Sequence, residues 1–160
     1  MIIRHGTLND LDALSEIEAA SYPKEQGASR TSIEQRLKSF PECFWILEEN
    51  GKILAFINGL ATDEKDLSDA MYDHAEMHDP HGVWQMLFSV VAAPDERHHG
   101  YASKVMEQVI ADCRKEGRTG IVLTCLDPLV PFYSRFGYAD EGLSKSVHGG
   151  VPWHQMRLTF

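Results

Sequence analysis

Cysteine is scarce in this sequence of 160 residues: only Cys43, Cys113 and Cys125 occur. Odd in number, widely spaced and set among apolar neighbours, they argue against a disulfide framework or a C-x-x-C metal site, and they read as buried thiols in a reducing compartment. Long apolar runs are missing too, and none approaches the ~18–20 residues that cross a bilayer. Met1-Ile2-Ile3-Arg4 lacks the apolar stretch of a signal peptide and reads as a first strand, so a cytoplasmic protein without membrane contact is expected. Positive charge is in deficit. A net charge of −9 offers no basic stripe for a nucleic-acid backbone, though it mildly favours a cationic small molecule. Neither G-x-x-x-x-G-K-[ST] nor G-x-G-x-x-G after a first strand is present, which argues against a nucleoside-triphosphate loop and a dinucleotide fold. Repeats, low-complexity tracts and linkers are also absent, so one domain is expected over 1–160.

What remains is ordinary for a folded α/β chain, with 43% hydrophobic and 24% charged residues. Leu11, Leu14 and Ile17 predict a helix over 8–20, with Thr7 as its N-cap and Asp10 three positions on. Thr31-Ser32-Ile33-Glu34 fits a capping box for a second helix that carries Ile33, Leu37 and Phe40 and stops at Pro41. Two β-rich runs flank Asn50-Gly51 and predict a type I′ hairpin within 43–61. The polar stretch 62–82 predicts a loop with a helical turn or two. The apolar run 83–93 predicts a central strand. Ala102, Val105, Met106, Val109, Ile110 and Cys113 form the strongest helical stripe, ended by Gly117. The strand at 120–126 implies a parallel pair with a helical crossover. A short helix over 128–136, a stop at Gly137 and strands around 138–147 and 152–159 complete the chain.

Between strand 83–93 and the helix after Gly100 stands Arg97-His98-His99-Gly100-Tyr101-Ala102. The first turn of a helix leaves N–H donors unpaired, with a partial positive charge behind them. A small-residue turn lets a phosphate approach those donors. Gly100 and Ala102 supply the small surface, and Arg97 and Lys104 supply charge that Asp95 and Glu96 offset. Taken alone, the spacing fits an anion site and a plain turn equally well.

The other end of the domain, "LTCLDPLVPFYSRFGYADEG" (123–142), runs strand, Asp-Pro break, short aromatic helix, Phe136-Gly137-Tyr138 and return strand. This resembles the C-terminal half of the GNAT superfamily of N-acetyltransferases, and Arg97–Ser103 is similar to its [RQ]-x-x-G-x-[GA] pyrophosphate loop. Within that superfamily "CLDPLVPFYSRFGY" is closest to the arylalkylamine (serotonin-type) N-acetyltransferases. The resemblance covers essentially the whole chain and implies a mixed α/β fold, a central twisted sheet of about seven strands flanked by helices. It implies an acetyl-CoA-dependent N-acetyltransferase that moves an acetyl group to a primary amine by direct ternary-complex attack. Acetyl-CoA would be the co-substrate, with no resident metal. The expected partner is a small-molecule amine, and a homodimer is allowed. Val90, Val91 and Ala92 would offer strand backbone to the pantetheine arm. Arg97, His98, His99, Gly100, Tyr101, Ala102 and Ser103 would form the pyrophosphate cradle, and Tyr133 would be the general acid. A phenol near pKa 10 can protonate a thiolate near 8.5 at a cost of about 2 kcal/mol. A packed aromatic with a hydrogen-bonded hydroxyl is the other reading of Tyr133.

The arylalkylamine enzymes carry two histidines on the strand before the phosphate loop, and here those positions hold Met86 and Phe88. Neither accepts a proton, yet an alkylamine of pKa about 10.4 is only about one part in two thousand neutral at pH 7. His74, Glu76, His78, Asp79 and His81 offer either a metal-ligand pattern, a base in His81 or Glu76, or an ordinary polar loop. Tyr22, Trp84, Met86, Phe88 and Trp153 fit an apolar pocket or plain core. Two competing readings stay open: an acyl-CoA-binding or regulatory module with little turnover, and a metal-binding protein built on the His-rich loop.

Overall fold

Asn50 and Gly51 both take positive φ, 52° and 78°, as a type I′ turn requires. They join β2 (Phe44–Glu49) to β3 (Lys52–Asn58) in the computed structural model, which describes residues 1–160. With β1 (Ile2–His5) and β6 (Ser89–Ala92) these strands form an antiparallel sheet of order β1-β2-β3-β6. A second sheet has the order β4-β5-β7-β9-β8: β4 (Ala61–Thr62), β5 (Trp84–Leu87), β7 (Gly120–Cys125), β9 (His154–Thr159) and β8 (Ala139–Leu143). Its one parallel pair is β5 with β7, joined by α4 (Tyr101–Lys115).

Nine strands stand where about seven were expected. The two-residue β4 adds one, and the single strand expected over 83–93 divides into β5 and β6. The division is a register event. Ala61 faces Gln85 and Thr62 faces Trp84, whereas Asn58 faces Ser89 and Ile57 faces Val90, so the second run holds one residue more than its partner. Phe88 and Ser89 together oppose Asn58, and the Asn58 carbonyl accepts from the Phe88 N–H at 2.8 Å. That is a β-bulge, which bends its strand and increases the local twist. Up to Leu87, which faces Leu123, the strand pairs with β7; beyond the bulge it pairs with β3 instead. Gly59 permits the crossing, because a Cβ there would lie 1.7 Å from the Met86 carbonyl oxygen.

The stripe on α4 buries as its period predicts: Val105, Met106, Val109 and Cys113 are fully covered, packed on β2, β3, β6 and β7. The first helix begins as a 3-10 turn, Leu8–Asp10, and continues as α1 (Leu11–Ser21). Thr7 N–H donates to Asp10 Oδ2 at 2.8 Å, the expected reciprocal cap. The second cap lies elsewhere than expected. α2 spans Arg30–Ser39, and its N-cap is the extended residue Ser29, whose Oγ accepts from Ser32 N–H at 3.1 Å. Thr31 therefore sits inside the first turn. α3 (Ala70–Asp73) is the turn of helix in the polar stretch, and α5 (Val130–Ser134) precedes Gly137, whose φ is +99°. β8 ends at Leu143, short of the expected 147.

Removing the observed cap by Ser29→Ala is expected to cost about 1 kcal/mol. Thr31→Ala should stay within about 0.5 kcal/mol. Urea midpoints of the two variants check the placement.

Candidate active site

The bulge opens a wedge between β6 and the end of β7. In an antiparallel ladder alternate residues turn their N–H and C=O toward the partner strand. Ala93 N–H donates to Leu54 O at 2.9 Å, which fixes the phase. Val91 and Ser89 spend their main-chain groups on β3, while Val90 and Ala92 turn theirs into the wedge. Tyr22 Oη, at the end of α1, donates to Val90 O at 3.3 Å, consistent with that direction. Of the three strand residues expected to offer backbone, Val90 and Ala92 turn it away from β3, the Val90 carbonyl being held by Tyr22, and Val91 does not.

At the outer end of β6 lies the turn. His98 and Gly100 both take positive φ, 69° and 75°, and alternating handedness of this kind makes successive N–H groups converge on a concave nest for an anion. The N–H groups of His98, His99, Gly100, Tyr101, Ala102 and Ser103 find no acceptor within the chain. Nothing lies within 4 Å of a Cβ placed on Gly100, so an oxyanion can reach these donors. Glu96 is held by Lys52 Nζ at 2.7 Å, which leaves Arg97 without a paired carboxylate on the turn.

At the inner end a cavity of about 60 Å³ is lined by Tyr22, Val90, Thr124, Cys125, Tyr133 and Trp153, among others. Tyr133 comes from α5, which the Asp-Pro break and Gly137 hold against the end of β7. It is 5% exposed, its ring meets Phe132 and Tyr138 edge-on at 5.0 and 5.9 Å, and its hydroxyl has no partner in the protein. Burial pushes the phenol well above its ordinary pKa. Cys125 is the cysteine of this cavity, and burial raises its thiol to about 12. It is neutral at pH 7 and a poor nucleophile.

The wedge is roofed by aromatic residues. Tyr72 stacks on His148 at 4.6 Å and donates to or accepts from Thr124 Oγ1 at 2.9 Å. His148 Nε2 lies 2.8 Å from Gln26 O, and since a carbonyl only accepts, Nε2 carries the proton. Asp69 pins the segment above through Ser146 Oγ and Val147 N–H. Behind the bulge a second cavity, about 140 Å³, is bounded by Glu18, Arg36 and Ser89 and shares Tyr72, Phe88 and His148 with the first. Glu18 is 2% exposed. Its Oε2 accepts from Ala28 N–H at 2.9 Å, its Oε1 has no partner, and burial raises its pKa.

Glu18 and Arg36 are functional candidates that the sequence reading passed over. A signal existed: each sits on the inward stripe of its helix, Glu18 four residues after Leu14 and Arg36 three after Ile33, where a charge is unusual. Of the residues weighed as pocket or core, Tyr22, Phe88 and Trp153 line the wedge. Met86 is fully buried in the core, and Trp84 lies beneath the Arg157 guanidinium at 4.7 Å.

The His-rich loop does not converge. His74 Nδ1 meets Glu76 at 2.9 Å, and His81 N–H caps Asp79. His78 Nδ1 accepts from Ala61 N–H at 3.0 Å, so its Nε2 proton goes to Glu42 at 2.9 Å. Both ring nitrogens are thus committed, one to β4 and the other to the turn before β2. His81 borders a groove with Glu116 and Arg118, and neither it nor Glu76 lines the wedge.

Residues 11–138 match the family model described as the acetyltransferase (GNAT) family. The chain belongs to the GNAT acetyltransferase family. Membership makes the reaction an acyl transfer that uses an acyl-CoA as co-substrate. Among solved structures the chain resembles the loading GNATL domain of CurA from Lyngbya majuscula, at 19% identity and TM-score 0.87, over 99% of this chain and 96% of that one. It also resembles the GphF GNAT-like decarboxylase in complex with isobutyryl-CoA, at 22% identity and TM-score 0.86, over 99% of both chains. A third is the ribosomal-protein-S18-alanine N-acetyltransferase of Escherichia coli, at 17% identity and TM-score 0.74, over 99% and 92%. These names differ in the chemistry they describe, so the fold is shared among them and the acceptor is not. No helix of the GNAT chain is long and apolar enough to cross a membrane.

His78 gives a pH test of the loop. Burial lowers its pKa below the ordinary value near 6.5, so the unfolded chain takes up a proton that the folded chain resists. Stability is therefore expected to fall as pH drops from about 6.5 through the lowered value. Urea midpoints at pH 7 and pH 5 should show a larger loss in the wild type than in His78→Gln.

Proposed function

We propose that the chain transfers an acetyl group from acetyl-CoA to a primary amine by direct attack in a ternary complex. The observation that carries this reading is the alignment along β6 of a main-chain anion nest at 98–103, free strand amides at Ala92 and Val90, and an unpartnered tyrosine hydroxyl at the inner end. In this reading the 98–103 amides hold the pyrophosphate, with Arg97 adding charge. The Val90 and Ala92 main chains pair with the amides of the pantetheine arm. Tyr22 gives up its bond to Val90 when the arm enters.

The amine nitrogen attacks the thioester carbonyl, the C–S bond breaks, and the departing sulfur takes the Tyr133 proton. Burial makes that phenol a weaker acid than a free tyrosine, so the transfer costs more than about 2 kcal/mol to an unperturbed thiolate. The same desolvation raises the basicity of the thiolate and offsets the difference. The amine's own proton goes to Glu18, by way of the Ser89 hydroxyl or water. Met86 and Phe88 stand at the arylalkylamine histidine positions, and Glu18 is the nearby carboxylate with an unpartnered oxygen and a pKa moved toward neutrality. An arylalkylamine acceptor remains the finer form of this reading.

A second reading has one observation in its favour. Arg36 is a buried guanidinium at the acyl end with no carboxylate bound to it, and one similar structure is named a decarboxylase. In that reading a carboxyacyl-CoA loses CO₂ and the resulting carbanion is protonated in the wedge.

Thiol release from acetyl-CoA across a panel of aromatic amines, polyamines and amino acids tests the first reading. Tyr133→Phe is expected to lower kcat by about 10²-fold or more with acetyl-CoA affinity retained. If no amine releases thiol while acetyl-CoA still raises the melting temperature, the chain is a binding module; release of CO₂ from a carboxyacyl-CoA instead selects the second reading.

Glu18→Gln is expected to lower kcat/KM by about 10²-fold or more and to remove the acidic limb of its pH profile. A carboxyl whose folded pKa is raised weakens the fold once it ionises, so the variant should melt higher than the wild type at pH 8 and lose that advantage below about pH 4.

A further inference from the structure

Arg36 is 3% exposed and projects from α2 into the interior behind the bulge. Its Nη1 donates to Asn58 Oδ1 at 3.2 Å and its Nη2 to the Tyr72 carbonyl at 2.9 Å. Its flat face covers the Phe88 ring at 4.7 Å, and its Nε has no partner. Both acceptors are neutral, and no carboxylate pairs with this cation, although every other buried arginine of the fold, Arg118 and Arg157, has one. A buried charge without a counter-charge is among the costliest features a fold can carry.

No group that faces it forms a direct ion pair with it. Glu18, across the cavity on α1, acts on it only at a distance: it is not within ion-pair reach, and one of its oxygens is committed to Ala28. Asp73 accepts from Ser32 Oγ at the exposed edge. His148 turns its proton toward Gln26. Between Glu18 and Arg36 lies the cavity of about 140 Å³. At roughly 30 Å³ of liquid volume per water, it takes only a few non-hydrogen atoms.

We propose that this cavity is a carboxylate subsite in which Arg36 receives the carboxylate of a small substrate. This rests on the reading above that the thioester lies along β6, since the cavity adjoins the wedge at Phe88 and Tyr72. The ligand's carboxylate accepts from the spare guanidinium N–H groups. Glu18 faces its other end, where it meets either the ammonium of an acceptor or, protonated, the carboxylate itself. Two sources supply the same chemistry: an amine acceptor that bears a carboxylate two or three bonds from its nitrogen, or a carboxylate on the acyl group of the thioester.

Matched pairs separate the sources in the full chain. β-Alanine and n-propylamine compete as acceptors with acetyl-CoA, while malonyl-CoA and isovaleryl-CoA compete as thioesters, read by thiol release and by calorimetric binding. The wild type is expected to prefer the carboxylated member of one pair by at least tenfold. Preference for β-alanine assigns the carboxylate to the acceptor; preference for malonyl-CoA assigns it to the acyl group. Arg36→Met should reduce the preferred ratio by at least tenfold, and Arg36→Lys should restore part of it. Arg36→Met removes an unpaired buried charge but also the donors to Asn58 and the Tyr72 carbonyl, so the ratios are compared at a temperature below the melting transition of every variant.

Equal handling of both pairs by the wild type overturns the subsite, whatever the variant does, even where plain amines are acetylated. A preference that survives Arg36→Met in a folded variant overturns it too. Absence of thiol release with any amine, beside tight and Arg36-dependent binding of malonyl-CoA over isovaleryl-CoA, supports the subsite and instead removes amine transfer.

Discussion

One surplus residue in one strand governs the rest of the structure. Phe88 shares Asn58 with Ser89 as its opposing residue, and the ladder between the 52–62 run and the 84–92 run shifts by a residue at that point. Had the register continued, β6 would extend alongside β7, and the main-chain groups of Val90 and Ala92 would be spent within one continuous sheet. The bulge turns them instead into a gap. A strand edge inside a folded protein carries donors and acceptors that must be satisfied by something, and a ligand whose own backbone is made of amides meets that need. Gly59 is the permissive partner of this geometry, because only a residue without a Cβ lets the facing strand cross so close to Met86.

The polar residues behind the bulge work against the stability of the fold. Glu18 and Arg36 are removed from water without being brought together, and the orphaned atoms include Glu18 Oε1, Arg36 Nε and Asn58 Nδ2. A core selected for stability alone would hold apolar residues at these inward positions of α1 and α2. The surrounding core is otherwise dense and conventional, with Phe40, Phe44, Ile46, Ile57 and Leu14 fully covered, and it can carry such a defect. Strain and unsatisfied polar groups concentrated at one place, beside a cleft, are the pattern expected of a site shaped by a substrate.

The sequence made legible those elements whose cause is local. The Asn50-Gly51 turn, the α4 stripe and the stop at Gly137 each follow from residues within about fifteen positions of one another, and the β5–α4–β7 crossover follows from three such local segments in succession. The turn before α4 was legible for the same reason, since Gly100 and the helix start lie side by side in sequence. The division of strand 83–93 was not. "VWQMLFSVVAA" is apolar on both sides of Phe88, and only the partner strand, about thirty residues away, reveals the extra residue. The cap at Ser29 was displaced because Ser29 and Thr31 are both good caps, and the winner was set by where the loop from Tyr22 delivers the chain. Glu18, Tyr72 and His148 come from three separate segments, and no local pattern joins them.

A net charge of −9 is at odds with a pyrophosphate ligand only if binding is counted in side-chain charges. Asp95 offsets one of Arg97 and Lys104, and Glu96 is itself occupied by Lys52, so the side chains add little more than one positive charge. What is left is a set of six oriented N–H groups at the start of a helix of 15 residues, held in place by the backbone conformation at His98 and Gly100. Such dipoles act only at hydrogen-bond distance and fall away within a turn of the helix, whereas the acidic field of the whole molecule extends over about a Debye length. The two therefore do not compete on equal terms. On the proposed reading, the phosphates of the thioester are repelled at long range and held on contact, while a cationic amine acceptor is drawn in throughout, so the two would meet the same surface by opposite electrostatic routes.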